Sequence, residues 1–277
     1  MRKIEPIITS RKNQIVIDTA ALFDKKYRDR TGLFVIEGEK LVLEAAARGL
    51  PVVRVFVAEG KANAILPRLE TGYAEEKYKD TELFVLGDEC FSKISSEKSP
   101  QGVIAVLKYL DIFKSSTIIY DEDILFLRDR RTVMLYGVQD PGNLGAIIRS
   151  AVAFGTECLI LSEGCADVYN AKTIRAAMGS LFSLRIFVVS DFASAVRAMQ
   201  SLGGRVLAAE LRDGAVPLSD VAFSKNDCVL IGNEGHGIPP EISALCDASV
   251  FLPISSGAES LNAAVAASIF LWEQGKK

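Results

Sequence analysis

The chain has 277 residues, of which 49% are hydrophobic and 24% charged, a composition typical of a globular protein with room for two domains. Its net charge of −3 is uneven, since the first thirty residues hold eight basic against four acidic groups, a balance compatible with phosphate contacts. No apolar run reaches the roughly eighteen residues of a membrane span, the five scattered cysteines indicate reduced thiols in a cytoplasmic protein, and a single histidine argues against a zinc site.

The first 112 residues alternate short apolar runs with amphipathic stretches, which predicts a small α/β domain. The helices are predicted at residues 10–30, 40–48, 65–73 and 90–95. The strands are predicted at residues 33–36, 52–58, 83–86 and 102–109. The charged stretch 113–131 that follows is predicted to be a linker.

From Thr132 the alternation restarts and continues to the end, so a second domain is assigned to residues 132–277. Its strands are predicted at residues 133–137, 158–161, 184–189, 205–209, 228–231 and 249–252. Helices are predicted between them at residues 143–154, 172–178 and 192–201, with a last one at 261–273. Because these strands are rich in Val, Ile and Leu, they predict an open parallel sheet covered on both faces.

Two of these strands run into loops of small residues, Gly232–Gly237 and Ser255–Ser260. Neighbouring parallel strands that end in such loops form a cradle lined by backbone, which suits a flat polar ligand. Three common motifs are missing: a GxGxxG after a strand, a GxxxxGK[ST] and a GxSxG. Their absence argues against a Rossmann dehydrogenase, a P-loop phosphotransferase and a serine hydrolase.

The stretch GVQDPGNLGAIIRSAVAFG (137–155) predicts a strand end, a turn and an amphipathic helix capped by Asn143. Arg149 lies off the apolar stripe of that helix, so it is either a surface arginine or a functional group. His236, between two glycines, is either an ordinary loop residue or a reactive one. The residues alone leave both alternatives open.

Three segments closely resemble the motifs of the SpoU (TrmH-like) RNA ribose methyltransferases of the SPOUT superfamily. They are DPGNLGAIIRSAVAFG (140–155), VLIGNEGHGI (229–238) and LPISSGAESLNAAVAASIFLWE (252–273). The resemblance extends over residues 132–273, in order and at the family's spacing. SRKN and LFVIEGEKLVLEAA, at residues 10–13 and 33–46, resemble the substrate-binding domain attached to many of these enzymes, whose fold is similar to that of a small RNA-binding ribosomal protein.

The resemblance implies methyl transfer from S-adenosylmethionine to a ribose 2′-hydroxyl of RNA, without a metal or a membrane. It also implies a C-terminal deep trefoil knot, an exception to the general absence of knots, and a homodimer whose active sites are completed across the interface. The ribosomal-protein-like domain favours rRNA, and tRNA stays open. The cofactor positions implied are Ala209, Gly232, Leu252, Ile254 and Leu261. The functional positions implied are Asn143, Arg149, Glu234, Ser260 and Asn262.

A ribose hydroxyl is a weak acid, so its attack on a sulfonium methyl group needs positioning and removal of a proton. Arg149 is therefore interpreted as the base or as an electrostatic stabiliser of the developing alkoxide. Asn143 and Asn262 are expected to orient Arg149 or the ribose, and Glu234 to orient the same groups or fix its loop. Ser260 is either a catalytic contact or the N-cap of the last helix.

The last predicted helix is apolar on nearly every face, so it is expected to be buried within the knot and against a partner subunit. Ser256 and His236 replace residues common in relatives, and both are expected to affect substrate fit. Two alternatives to ribose methylation stay open: an inactive RNA-binding relative and a base methyltransferase.

Overall fold

The computed structural model describes residues 1–257 and 260–276, which form two compact units. The first unit consists of Met1–Leu110 together with Tyr169–Arg175, and the second of Asp111–Val168 and the chain from Ala176 onward. The short segment joins the first unit because the ring of Tyr169 stacks on that of Tyr109, with centroids 4.3 Å apart, and its hydroxyl accepts the amide of Leu110 at 2.9 Å. Within the described ranges, no helix has the length and apolar character needed to cross a bilayer.

The first unit is built on a mixed five-stranded sheet. Its strands are β1 (Arg2–Ile8), β2 (Leu33–Glu37), β3 (Val52–Ala58), β4 (Glu82–Leu86) and β5 (Val103–Lys108). Its helices are α1 (Gln14–Ala21), α2 (Lys25–Thr31), α3 (Glu39–Ala47), α4 (Ala62–Gly72) and α5 (Asp88–Ile94). The strand order is β1-β4-β3-β5-β2, in which β4 pairs in parallel with β1 and β3, and β5 pairs antiparallel with β3 and β2.

The N-terminal segment differs from the sequence-based expectation in two ways. The single helix predicted over residues 10–30 is two helices, because Asp24 has an extended backbone and its carboxylate caps α2 by accepting the amide of Tyr27 at 2.9 Å. Strand β1 was not predicted. It lies at the edge of the sheet, where a strand needs no continuous apolar run and tolerates Pro6.

The second unit contains an eight-stranded sheet in which every neighbouring pair is parallel, as the sequence predicted. Its strands are β6 (Phe113–Ser116), β7 (Thr132–Leu135), β8 (Cys158–Ser162), β9 (Arg185–Val189), β10 (Val206–Ala209), β11 (Val216–Pro217), β12 (Cys228–Ile231) and β13 (Ala248–Phe251). The helices along this part of the chain are α6 (Asp121–Leu127), α7 (Pro141–Ala153), α8 (Ala171–Ala177), α9 (Phe192–Ser201), α10 (Pro240–Ser243) and α11 (Ala263–Gly275).

The stretch 113–131, predicted as a linker, instead forms part of the second unit. Strand β6 pairs in parallel with β9 at the sheet edge, and α6 contributes the buried side chain of Leu127 to the core. The charges that suggested a linker pair locally. Lys114 Nζ lies 2.8 Å from a carboxylate oxygen of Asp123 and 2.9 Å from one of Glu122.

The strand order β11-β13-β10-β12-β7-β8-β9-β6 decides where a site can form. Because the sheet is parallel, the loops that follow β7, β10, β12 and β13 all leave from the same edge, and these four strands are neighbours. Helices α7 and α11 pack together, with Ser268 Oγ donating to Ser150 Oγ at 2.7 Å and the Phe154 and Trp272 rings edge to face at 5.6 Å. The three motif segments therefore meet in one region.

Candidate active site and cofactor cavity

A cavity of about 300 Å³ lies at the carboxyl ends of β10, β12 and β13. Its volume falls at the lower end of the range of small-molecule sites. All five residues predicted to hold the cofactor line it: Ala209, Gly232, Leu252, Ile254 and Leu261. Two predicted functional residues, Glu234 and Ser260, lie on its wall as well, and Phe270 of α11 contributes an aromatic ring.

One wall of the cavity is the tight loop after β12. A Cβ atom placed on Gly232 would lie 2.5 Å from the carbonyl carbon of Gly237 and 2.7 Å from the amide nitrogen of Ile238, so only glycine permits this approach. The backbones of Asn233 and Gly237 exchange two hydrogen bonds of 3.0 Å. Asn233 also fastens the loop to the end of β7, because its side-chain amide donates to the carbonyl of Gly137 at 2.6 Å. Sequence reasoning did not single out Asn233.

Three predicted functional residues, one from each motif, form a chain of hydrogen bonds. Asn143 Nδ2 donates to Glu234 Oε1 at 3.0 Å, and Asn262 Nδ2 donates to Asn143 Oδ1 at 3.0 Å. The direction of these hydrogen bonds follows from chemistry. A carboxylate only accepts hydrogen bonds, so Asn143 presents its amino group to Glu234. The carbonyl of Asn143 is then left for Asn262, whose own carbonyl caps α11 by accepting the amide of Ala264 at 2.9 Å.

The helix caps differ from two sequence-based expectations. Asn143 is not the N-cap of α7: Asp140 is, and its carboxylate accepts the amide of Asn143 at 2.8 Å. Pro141 explains this start, since its fixed φ suits the first helical position, where no amide hydrogen is needed. Ser260 is not the N-cap of α11, because Asn262 holds that position, and Ser260 lies exposed where it borders the cavity.

Arg149 stands apart from the hydrogen-bonded chain. It is exposed on α7, off the stripe that buries Ile147 and Ile148, as the sequence predicted. It has no hydrogen bond or ion pair with any residue in the described ranges. Six residues separate it from Asn143, which is about 9 Å along a helix axis. A single subunit therefore brings Asn143, Glu234 and Asn262 together but not Arg149.

Within one subunit, helix α11 is buried along one side and exposed along another. Ala267, Phe270 and Leu271 are buried, whereas Val265, Ile269 and Trp272 are 49%, 37% and 53% exposed. The exposed residues follow each other at intervals of four and three, so they form one apolar stripe on consecutive turns. The expectation that a partner subunit covers the rest of the helix stays a prediction.

Glu210 is a polar residue of the cavity that the sequence analysis missed. It follows β10, lines the cavity, and has a side chain only 17% exposed. Its Oε1 atom accepts hydrogen bonds from Ser243 Oγ at 2.5 Å and Ser249 Oγ at 2.6 Å, and Arg212 Nε lies 3.3 Å away. A carboxylate fixed in this way offers its other oxygen to a donor group of a ligand. The only signal in the sequence was its place just after a strand.

His236 is exposed, and its Nδ1 lies 3.3 Å from Asn233 Oδ1. It does not border the cavity described above but a second one on the other side of its loop. Among residues 1–257 and 260–276, no group of three His, Cys, Asp or Glu side chains is placed to hold a metal ion.

The chain is similar to known RNA methyltransferases over nearly its whole length. Residues 130–272 match the SpoU rRNA Methylase family, and residues 13–105 match the MRM3-like substrate binding domain. The chain is 33% identical, over 96% of its length and 97% of the relative, to the 23S rRNA (guanosine(2553)-2'-O)-methyltransferase RlmP of Bacillus subtilis. It is 32% identical, over 96% of its length and 90% of the relative, to the 23S rRNA (uridine(2479)-2'-O)-methyltransferase of Streptomyces viridochromogenes.

Among solved structures, the AdoMet-bound rRNA methyltransferase from Sinorhizobium meliloti superposes with a TM-score of 0.81 and 31% identity, covering 99% of this chain and 97% of that chain. The AdoMet complex of the SpoU methyltransferase AviRb from Streptomyces viridochromogenes superposes with a TM-score of 0.77 and 29% identity, covering 95% and 98%. The family match spans more than half of the chain and contains all three segments that build the cavity and its rim. The chain belongs to the SpoU rRNA methylase family.

Proposed function

We propose that this chain transfers a methyl group from S-adenosylmethionine to a ribose 2′-hydroxyl of 23S rRNA. Two relatives that align with nearly the whole chain have this activity in their names, one on a guanosine and one on a uridine. The observation that carries the proposal is the hydrogen-bonded chain Glu234–Asn143–Asn262, one end of which lies on the wall of the cavity. The same two relatives favour rRNA over the tRNA alternative.

The cavity fits S-adenosylmethionine by its chemistry. Leu252, Ile254 and Leu261 supply apolar surface for a flat adenine ring, and the backbone around Gly232 supplies polar groups at close range. The fixed carboxylate of Glu210 suits a hydroxyl or ammonium donor. Once bound, the cofactor supplies a methyl group made electrophilic by its sulfonium. We assign Gly232, Leu252, Ile254 and Leu261, with Ala209, to cofactor binding.

The remaining chemistry belongs to side chains of this protein. The amides of Asn143 and Asn262, held in one orientation by Glu234, position the ribose at the cavity rim. Loss of the 2′-hydroxyl proton to solvent water leaves negative charge on the oxygen, and the cationic Arg149 stabilises that charge. The charge is consumed when the oxygen takes the methyl group, which would leave S-adenosylhomocysteine as the second product. A guanidinium is a poor base, so electrostatic stabilisation suits Arg149 better than proton removal. Ser260, exposed at the cavity, contacts the ribose or the phosphate next to it.

A homodimer is part of the proposal. The stripe of Val265, Ile269 and Trp272 exposes apolar surface on three consecutive turns, which a second copy of the chain would cover. The distance of Arg149 from the amides of its own subunit supports an active site that takes this arginine from the partner. Each subunit then gives its amides to one active site and its Arg149 to the other, so the dimer has two equivalent active sites.

The expected trefoil knot and domain roles also belong to the proposal. Helix α11 follows β13 yet packs on α7, which follows β7, although β10 and β12 lie between these two strands. A C-terminal segment that returns in this way suits a chain threaded through its own loops. The match to a substrate-binding domain supports RNA binding by residues 1–112, and the five free cysteines support a reducing, cytoplasmic location.

The proposal is tested by replacing the central amide of the hydrogen-bonded chain. We expect Asn143→Ala to lower the rate of 23S rRNA methylation at least about tenfold, with the affinity for S-adenosylmethionine changed less than about twofold, because Asn143 does not line the cavity. Glu241→Ala, at an exposed position on α10 outside the lining of both cavities, is the control. Equal turnover of the two variants would refute the assigned role of the amides.

A further inference from the structure

A second cavity of about 560 Å³ lies in the second unit at the carboxyl ends of β7, β8 and β9. The loop after β12 separates it from the cofactor cavity, and Asn233 and Gly237 line both. None of the residues predicted from the motifs as catalytic or cofactor-binding lines it.

The lining of this second cavity combines flat apolar surface with polar groups. The rings of Tyr136 and Phe192 stand edge to face with centroids 5.1 Å apart, and Pro239 adds another apolar surface. Besides Asn233, the polar residues of the lining are Gln139, Ser162, Glu163, Ser190, Asp191 and His236. Aromatic surface beside hydrogen-bonding groups is the chemistry by which proteins hold an unstacked base.

The charge of the cavity excludes two other occupants. The carboxylates of Glu163 and Asp191 repel phosphate, so the phosphate of a bound nucleotide lies outside the cavity and only its base enters. Among the described residues there is no group of three His, Cys, Asp or Glu side chains placed to hold a metal ion, and the pair of carboxylates in this cavity falls short of such a group. A neutral heterocycle with N–H groups on its edge suits the cavity best.

The second cavity is also connected to the reacting region. Gln139 lines it, and the backbone amide of Gln139 approaches Glu234 Oε2 at 3.5 Å, beside the chain that holds Asn143. A nucleotide with its base in this cavity would therefore bring its ribose towards the hydrogen-bonded amides. We propose that the second cavity receives the base of the nucleotide whose ribose is methylated, and that Glu163 selects guanine. This inference rests on the proposed function, since it names the base of the same rRNA substrate that the chain recognises.

The preference for guanine follows from the acceptors. One oxygen of Asp191 already accepts the amide of Ser194 at 2.9 Å, because Asp191 caps α9. Glu163 is exposed, and its carboxylate makes no hydrogen bond or ion pair within the part of the chain that the structure describes. A carboxylate can only accept, and guanine offers it two adjacent donors, the N1 hydrogen and the 2-amino group. Uracil offers one N–H, and hypoxanthine lacks the amino group.

The inference is tested by calorimetric titration of the full-length protein with three probes: guanosine, inosine and uridine 5′-monophosphates. We expect guanosine monophosphate to bind about tenfold more tightly than the other two. Glu163→Gln should remove this difference, since an amide can no longer accept from both donors. Glu241→Gln is the matched control, because Glu241 is an exposed carboxylate of α10 outside the cavity lining and should leave the preference intact.

A second variant occupies the cavity itself. Gly164 lines it, and a Cβ atom placed there has its nearest neighbour at 3.8 Å, so a side chain can be added without a backbone clash. We expect Gly164→Phe to abolish binding of guanosine monophosphate and to leave binding of S-adenosylmethionine unchanged. Circular dichroism and thermal unfolding confirm that each variant is folded.

The outcomes separate this inference from the proposed function. A wild-type protein that binds no S-adenosylmethionine and methylates no rRNA refutes the proposed function. A wild-type protein that does both, yet binds the three monophosphates equally or not at all, overturns the base pocket alone. Retention of guanosine monophosphate binding by folded Gly164→Phe overturns it as well.

Discussion

Gly232 offers the sharpest test of the cofactor cavity, because its missing side chain has a measurable reason. In Gly232→Ala, the new methyl carbon would lie 2.5 Å from a backbone carbon of Gly237 and 2.7 Å from the amide nitrogen of Ile238. Favourable contacts between carbon atoms lie at about 3.5–4 Å, so the loop must move by about 1 Å. Overpacking of this kind costs about 1–3 kcal/mol.

If that strain falls on the cofactor-binding conformation, the dissociation constant for S-adenosylmethionine rises between about fivefold and about 150-fold. Gly235 is the matched control within the same loop. A Cβ atom there has its nearest neighbour, Asn233 Oδ1, at an ordinary 3.6 Å, so Gly235→Ala should change the dissociation constant less than about twofold. Calorimetric titration measures both constants, and thermal unfolding shows whether each variant is folded.

The refuting result is equally specific. If Gly232→Ala and Gly235→Ala bind S-adenosylmethionine alike, the close approach of Gly232 to the backbone does not form the cofactor wall. If Gly232→Ala is folded and binds S-adenosylmethionine as tightly as the wild type, the loop accommodates the added methyl group without the strain expected from the contact distances.

Three further outcomes are expected. Arg149→Ala should abolish methylation of 23S rRNA while calorimetric binding of S-adenosylmethionine persists, and normal turnover by this variant would remove Arg149 from the mechanism. Val265→Asp should convert a dimer into monomers in sedimentation velocity, whereas Leu125→Asp, at a 65% exposed apolar position on α6, should not; dimers of both variants would show that α11 is not the interface. Burial alone would raise the pKa of Asp227, but hydrogen bonds, chiefly from Arg205, outweigh it and hold the pKa at about 2. A depressed native pKa stabilises the fold above the unfolded-state pKa of about 4, so about 2 kcal/mol of the free energy of unfolding should be lost as the pH falls from 4 towards 2. Denaturant titrations of Asp227→Asn should lack that part of the acid dependence. An unchanged dependence would contradict the assignment.

Most of the strands and the two small-residue loops at the cavity could be predicted from the sequence, because their signals are local. Buried parallel strands appear as continuous apolar runs, and the loops after β12 and β13 are marked by small residues. The family resemblance assigned Asn143 and Asn262 to one site, and the parallel sheet explains how residues so distant in sequence lie close together, because its strands share one carboxyl edge. Within one subunit the two amides are hydrogen-bonded, and Arg149 lies apart from them.

The features that escaped prediction depend on contacts between distant segments or on local competition. Edge strands β1 and β6 are not continuous apolar runs, since each pairs on one side only. Asp140 rather than Asn143 caps α7, because Pro141 takes the first helical position. The carboxylate of Glu210 is held in place only by the fold, because its donors Ser243 and Ser249 lie more than thirty residues away along the chain.

The central claim, ribose methylation of 23S rRNA, is tested most directly by locating the transferred methyl group. Unmodified 23S rRNA is incubated with the purified protein and S-adenosylmethionine carrying an isotope-labelled methyl group, then digested to nucleosides and analysed by mass spectrometry. We expect the label on the ribose of a single nucleoside, as a 2′-O-methyl group that resists alkaline hydrolysis of the adjacent bond. Label on a base, or label transferred to tRNA but not to 23S rRNA, would contradict the assigned function.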